Sequence, residues 1–282
     1  MTDSSDPGVP YGVDLDRPNA ARVYDYLLGG TANWAIDRAF GDQVIEKLPL
    51  ARTLARVNRD YLGRAVRYCA RNGITQFLDL GSGVPTVGNV HEAADSIHPD
   101  SRCVYVDNEP VAVAHAKTLL ERKGDPARHA AINADLRDVL GVWKAALATG
   151  VLDPDRPIGL ILVAVLHFVP PEQGAAEAVS QYRELLAPGS HLIISHGTDE
   201  GIPESELSQM RLTAKQYEES STPVHFRTKA EVAEFFGDFE LVEPGLVWLP
   251  EWRLDEGESR ATRKIAHNPP LSCVLGGVGR KP

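Results

Sequence analysis

The sequence has little cysteine. Cys69, Cys103 and Cys273 are its only three, they lie far apart, and none makes a CxxC pair. That spacing excludes a disulfide or zinc framework and reads as small buried residues in a reducing compartment. No dense run of Lys and Arg occurs, the formal net charge is −10, and the pI is near 5.4. An acidic surface repels phosphate backbones, so nucleic acid is not an expected partner. No apolar run approaches a membrane span, so no membrane partner is expected either. The start, "MTDSSDPGVPYGVDLD", lacks the basic, apolar and cleavage regions of a signal peptide. Together these absences lead to the expectation of a cytoplasmic protein. The nine histidines show no HxH, HxxxH or Cys/His cluster, so no metal is expected.

What is present fits a globular protein. The chain has 282 residues, 43% hydrophobic and 24% charged, enough for a large core. Residues 1–18 are polar, carry Pro7, Pro10 and Pro18, and read as a flexible arm. Three helices are expected next. One runs from a cap at Asn19 to Gly29-Gly30, and a second covers 36–48 before Pro49. In the third, Leu54, Val57, Tyr61, Leu62, Ala65, Val66 and Cys69 recur at helical spacing ahead of Gly73. Residues 1–72 thus read as an arm and helical cap.

From Ile74 the rhythm changes. "ITQFLDL", "CVYVD", "HAAIN", "IGLILVAVLHFV" and "SHLIIS" read as strands alternating with helices, the fourth being the longest apolar strand. Pro171 suits the first turn of a helix ending near Ala187. This alternation predicts a parallel sheet covered on both faces. A capping box at Thr228 and Glu231 precedes "VAEFF", and two β-rich segments, "FELVEPGLVWL" and "PLSCVLGGVGRK", follow. Residues 73–282 read as one core, with 199–222 as a helical insertion over the site.

Ligands of parallel α/β sheets bind at the carboxyl ends of the strands. The first end carries Asp79, Gly81, Ser82 and Gly83, a turn that lets backbone approach a ligand. The second ends in Asp107, twenty-eight positions on, where a carboxylate accepts from ribose hydroxyls. The third supplies Asp135 and Leu136, an acid for an adenine amino group and an apolar contact for its ring. Each has an ordinary structural explanation as well: a tight turn for the glycines, helix caps for Asp107 and Asp135. The pattern is GxGxxT, with Thr86 in the dinucleotide fingerprint's last glycine slot and Pro85 just before it. Proline offers no N–H to a phosphate. The loop therefore favours S-adenosylmethionine, a phosphate-free adenosine ligand, over NAD.

These residues resemble class I S-adenosyl-L-methionine-dependent methyltransferases. Within them the chain resembles a bacterial family formerly catalogued as a domain of unknown function. The resemblance rests on "ARVYDYLLGGTANWAIDR", "FLDLGSGVPTVGNVHE", "VYVDNEPVAVAHA", "NADLRD" and "VLHFVP", and extends from about Arg17 to the C-terminus. It implies a Rossmann-like α/β fold in three α/β/α layers, plus the N-terminal helical extension. The implied sheet is seven-stranded and mostly parallel, with the last strand antiparallel beside the fifth. It implies cofactor contacts at Asp79, Gly81, Gly83, Asp107, Asn108, Asp135, Leu136 and the stretch 164–167, which includes Ala164 and His167. It does not carry over an acceptor; a small molecule is the expectation.

Around the Gly-Gly break, Tyr24, Tyr26, Gly30, Asn33 and Trp34 are expected to fold over the cofactor or, alternatively, to pack on the sheet edge. His91, His167 and His196 are the candidate bases, each with packing or a structural hydrogen bond as its alternative role. Two other readings stand beside the methyltransferase: a non-catalytic S-adenosylmethionine-binding sensor or partner protein, and an NAD-dependent oxidoreductase.

Overall fold

The computed structural model describes residues 13–85, 88–218, 220, 222–254 and 259–282. Most of the expected arm, and Thr86 in the glycine-loop pattern, lie outside the described residues.

Three helices open the fold. α1 (Ala20–Leu28) starts where the Asn19 side chain accepts from the Ala21 N–H, and it ends at Gly29 in the left-handed conformation. α2 (Ala35–Lys47) and α3 (Ala51–Arg71) follow. Then strands and helices alternate: β1 (Gln76–Leu80), α4 (Val90–Asp95), β2 (Arg102–Asp107), α5 (Pro110–Lys123), β3 (His129–Asn133), α6 (Val139–Ala148) and β4 (Gly159–Val163). α7 (Ala175–Leu185), β5 (His191–Gly197), α8 (Glu204–Tyr217) and α9 (Lys229–Glu234) continue the chain. β6 (Glu240–Leu241), β7 (Val247–Trp248), α10 (Arg260–Ile265) and β8 (Val274–Arg280) complete it.

The sheet order is β3-β2-β1-β4-β5-β8-β6, with β7 also paired to β8. β1 to β5 run parallel, and β8 lies antiparallel between β5 and β6. This is the Rossmann-like fold that the resemblance implied, with one difference. The sheet has eight strands, because the segment before β8 pairs with it as two separate two-residue strands.

Alternation along each strand divides the core between the two faces. Leu78, Leu80, Val104, Val106, Leu160 and Ile194 face α6, α7 and α9. Phe77, Cys103, Tyr105, Ile161, Ile193 and Val278 face α3, α4 and α5. A third cluster joins α1, α2 and the start of α3 to Met210 and Tyr217 of α8 and to Cys273. α3 takes part in both the cap cluster and the sheet core. Among the described residues no helix is long and apolar enough to cross a membrane.

Two expectations need correction. The fourth strand is not the longest: it ends at Val163, and β5 and β8 each have seven residues. Ala164 adopts φ of +55° and turns the chain out of the sheet into a 3₁₀ turn, Leu166–Phe168. The helix expected from Pro171 is also interrupted. A 3₁₀ turn, Pro171–Gln173, ends at Gly174 with φ of +78°, and only then does α7 begin.

Candidate functional site

Because β1 to β4 run parallel, their carboxyl ends open on one edge, where a cleft of about 230 Å³ lies. Its floor begins with the turn after β1. Gly81 has φ of +70°, and a Cβ there would sit 2.2 Å from Cγ2 of Val165. Gly83 has φ of +64° with nothing within 4 Å of a would-be Cβ. Glycine is therefore required at Gly81 by both space and backbone, and at Gly83 by backbone alone.

The amides of this turn point back into the protein. Gly81 and Ser82 donate to the Val106 carbonyl at 2.8 and 3.1 Å. The Gly83 amide donates to Oδ2 of Asp107 at 2.7 Å, and the backbone amide of Glu109 donates to Oδ1 at 2.8 Å. Asp107 does not cap α5; the Glu109 side chain does. Burial raises the Asp107 pKa above the usual carboxylate value, and the backbone donors pull against it. Three consecutive amides are thus already engaged, a poor cradle for phosphate.

Above the turn stand two groups with unspent capacity. Asp79 is 4% exposed, and its carboxyl accepts no hydrogen bond among the described residues. Burial pushes its pKa up to about 7, with Arg59 opposing and Asp107 reinforcing the shift. Arg59, from α3, lines the same cleft. Its Nε is enclosed without a partner, and its Nη2 makes one long bond to the Val84 carbonyl, 3.4 Å.

The third strand end supplies Asp135 and Leu136. Asp135 does not cap α6, a task that Asp138 performs. Instead it accepts from Nε of Arg137 at 2.9 Å, and Arg137 reaches across to Gln173 at 2.6 Å. Hydrogen bonds from Arg137 hold the Asp135 carboxyl below its usual range.

The far wall comes from the cap. Tyr24 donates to the Ala55 carbonyl at 2.9 Å and accepts from Asn58 Nδ2 at 3.0 Å. Oδ1 of Asn58 accepts from the Ser195 hydroxyl at 2.6 Å, and Ser195 Oγ accepts from the Ala164 amide at 3.0 Å. One chain of bonds therefore ties α1 and α3 to the ends of β4 and β5.

Beyond that junction lies a second, mainly apolar pocket of about 160 Å³. The two pockets share Tyr24, Asn58, Ala164 and Phe168. His167 lines the second pocket and not the first.

The first cleft brings together Tyr24, Asp79, Gly81, Ser82, Gly83, Asp107, Asn108, Asp135, Leu136 and Ala164. Gly30 lies outside it, where a Cβ would fall 1.9 Å from Oδ1 of Asp25. Its role is to let Asp25 fold the loop, since Oδ2 of that residue takes the Ala32 amide and the Asn33 side chain. Tyr26 and Trp34 are also outside; Tyr26 bonds Asp42, and Trp34 lies under Arg22.

His91 is buried away from both pockets, with Nδ1 2.6 Å from the Tyr105 hydroxyl and its ring 4.8 Å from that of His129. His196 is fully buried between the Gly197 carbonyl and Arg227, and burial pushes its pKa well down. Neither reaches the cleft.

Sequence reasoning did not single out Asn58, Arg59, Arg137, Phe168 or Gln173. A signal for Asn58 existed: it is a polar residue four positions from both Leu54 and Leu62, on the apolar face of α3. Among the described residues no cluster of His, Cys, Asp and Glu could hold a metal ion.

Comparison with known proteins places the chain in a family and agrees with its fold. A family model described as S-adenosyl methyltransferase matches residues 8–282. The crystal structure of a candidate methyltransferase from Thermobifida fusca YX is 39% identical, with a TM-score of 0.84 over 96% of this chain and 97% of that one. That of a DUF574 family protein from Streptomyces avermitilis MA-4680 is 37% identical, with a TM-score of 0.85 over 95% and 98%. A curated relative from Mycobacteroides abscessus, described as a candidate S-adenosyl-L-methionine-dependent methyltransferase, is 26% identical over 225 residues, 78% of this chain. The match spans 64% of that relative's own length.

Proposed function

The chain belongs to the S-adenosyl methyltransferase family, and on that premise we propose that it binds S-adenosylmethionine in the strand-end cleft and methylates a small molecule. The observation that carries this reading is the pairing of open and spent groups. Among the described residues, Asp79 offers a carboxyl without a hydrogen bond and Arg59 a guanidinium whose Nε is free and whose Nη2 makes one long bond, while the amides of Gly81, Ser82 and Gly83 are consumed. That combination suits an amino-acid end and not a pyrophosphate.

In this reading Asp79 meets the ammonium and Arg59 the carboxylate of the ligand. Each Asp107 oxygen accepts one backbone N–H and keeps a lone pair for a ribose hydroxyl. Asn108 borders the same place, Asp135 faces the adenine amino group, and Leu136 packs on the ring. Residues 1–72 divide into an arm and a helical cap, and the cap helices α1 to α3 cover the core formed by 73–282, with α8 of the 199–222 segment closing the far side. A reducing, cytoplasmic setting suits the three buried free thiols.

The cofactor, when bound, supplies a methyl group already activated on a sulfonium. The chain's own task is to align the acceptor and exclude water. Alignment of this kind lowers a barrier by roughly 7–11 kcal/mol, so no general base is required. A calorimetric titration with S-adenosylhomocysteine tests the binding. Asp107→Ala should weaken it by about 1.5–3 kcal/mol; equal affinity would remove Asp107 from the site. Transfer of label from methyl-labelled cofactor into small molecules of a cell extract tests the activity. Binding without any transfer would favour a sensor.

A further inference from the structure

Among the described residues the second pocket is lined without a single charged side chain. Leu27, Val44, Leu48, Met210, Val224 and Phe226 supply much of its wall. Most polar groups that reach it are engaged elsewhere. Tyr24 and Asn58 bond each other, and the Thr213 hydroxyl donates to the Gln209 carbonyl at 2.9 Å. His167 and the Tyr217 hydroxyl, which makes no hydrogen bond among the described residues, are the exceptions, and of the two His167 lies at the strand ends beside Ala164 and Phe168. Nδ1 of His167 is enclosed without a partner, so the ring atom that can face the pocket is Nε2, to which no hydrogen bond is found among the described residues. Native interiors seldom leave such a group unmatched, and a polar atom left open in a pocket is a ligand contact in waiting.

Building on the reading that the neighbouring cleft holds the methyl donor, we propose that this pocket is the acceptor site, and that it takes an uncharged aromatic or aliphatic molecule whose hydroxyl or N–H donates to His167. The shared residues Tyr24, Asn58, Ala164 and Phe168 make the two spaces neighbours across one wall. A charged acceptor would be desolvated with no counter-ion to meet it. The nearby Arg227 is already held by the carbonyls of Leu166 and Val169 and by His196. Burial, then Arg227, push the His167 pKa down to about 4. The imidazole is therefore neutral near pH 7, able to accept a hydrogen bond but poor at removing a proton. It holds the nucleophile's hydrogen in place; once the acceptor oxygen or nitrogen has gained the methyl and the bond from that methyl to sulfur has broken, the same proton, now strongly acidic, passes to the imidazole and on to solvent.

Three probes of one shape separate the terms: naphthalene, 1-naphthol and 1-naphthoate, each titrated at pH 7.5 with saturating S-adenosylhomocysteine. 1-Naphthol should bind, naphthalene should bind roughly three- to tenfold more weakly, and 1-naphthoate should not bind measurably. Ala214→Trp fills the pocket and should abolish 1-naphthol binding while S-adenosylhomocysteine affinity is retained. His167→Phe should bring 1-naphthol down to the level of naphthalene, and His167→Gln, which keeps an acceptor, should restore most of the difference. Naphthoate binding as tightly as naphthol, or naphthol binding unchanged by Ala214→Trp, would overturn the proposal. Failure of S-adenosylhomocysteine to bind the wild type would instead reject the donor reading, and the same three probes without it still judge the pocket.

Discussion

The two pockets touch at four residues but are built by opposite rules. The strand-end cleft takes its floor, and many of its polar groups, from short contiguous runs: Asp79 to Gly83, Asp107 and Asn108, Ala134 to Arg137, with Arg59 and Tyr24 added from the cap. The apolar pocket is gathered from residues spread between Tyr24 and Val274, across the cap helices, α8 and the strand ends. One is a pattern of hydrogen bonds fixed by backbone turns. The other is a gap left where helices pack on a sheet. Backbone turns tolerate almost no substitution, whereas an apolar wall accepts many side chains of similar volume. A fold can thus keep one ligand and exchange another.

The largest effect expected is at the turn. Gly81→Ala forces a Cβ to 2.2 Å from Val165 at φ of +70° and should lower stability by about 2–5 kcal/mol in urea denaturation. Gly83→Ala meets strain but no clash and should lose only about 1–2 kcal/mol. Equal losses would mean that the turn, and not the contact with Val165, sets the demand.

Next comes Arg59→Met. It should weaken S-adenosylhomocysteine by about 1.5–3 kcal/mol and leave adenosine, which lacks the amino-acid end, unchanged. A loss shared by both ligands would place Arg59 elsewhere.

Asp79 gives a pH signature. Its pKa in the fold, about 7, lies above the ordinary value of 3.8. In the ligand-free protein its contribution is therefore fully favourable below 3.8 and is lost as pH rises through about 7. An ammonium ligand reverses the demand, because it favours the ionised carboxyl. Affinity for S-adenosylhomocysteine should rise from pH 5.5 to 8, changing by about tenfold per unit well below 7. Asp79→Asn should flatten this profile and, at pH 8, raise the melting temperature of the ligand-free protein. A flat wild-type profile would show that Asp79 does not face the ammonium.

The smallest effect belongs to Arg137→Ala. Its pair with Asp135 is partly exposed, so stability should change by less than about 1 kcal/mol. A larger loss of ligand affinity than of stability would make the Arg137–Gln173 contact a clasp over the cleft.

How much of this was legible follows the same division. The strand ends could be read because Asp79, Asp107 and Asp135 each end an apolar run at a turn. The cap of α1 at Asn19 and the capping box at Thr228 could be read because their bonds span two or three residues. The break after Val163 could not. Ala164 carries a positive φ that its side chain does not demand; the Ser195 hydroxyl and carbonyl, brought by β5, hold its amide there. His91 and His196 looked eligible because both stand near strand ends, but periodicity does not say which way a ring turns. Arg59 was missed because a charged residue on a long helix is ordinarily a solvated one. Only the packing of α3 on the sheet brings it over Asp79.

With its turn amides spent and Asp79 free of hydrogen bonds among the described residues, the strand-end cleft should take a phosphate-free nucleoside. Titrating wild-type protein with S-adenosylhomocysteine and with NAD, side by side, tests it most directly. Saturable binding of S-adenosylhomocysteine with none of NAD is the predicted result. Binding of NAD alone would contradict it.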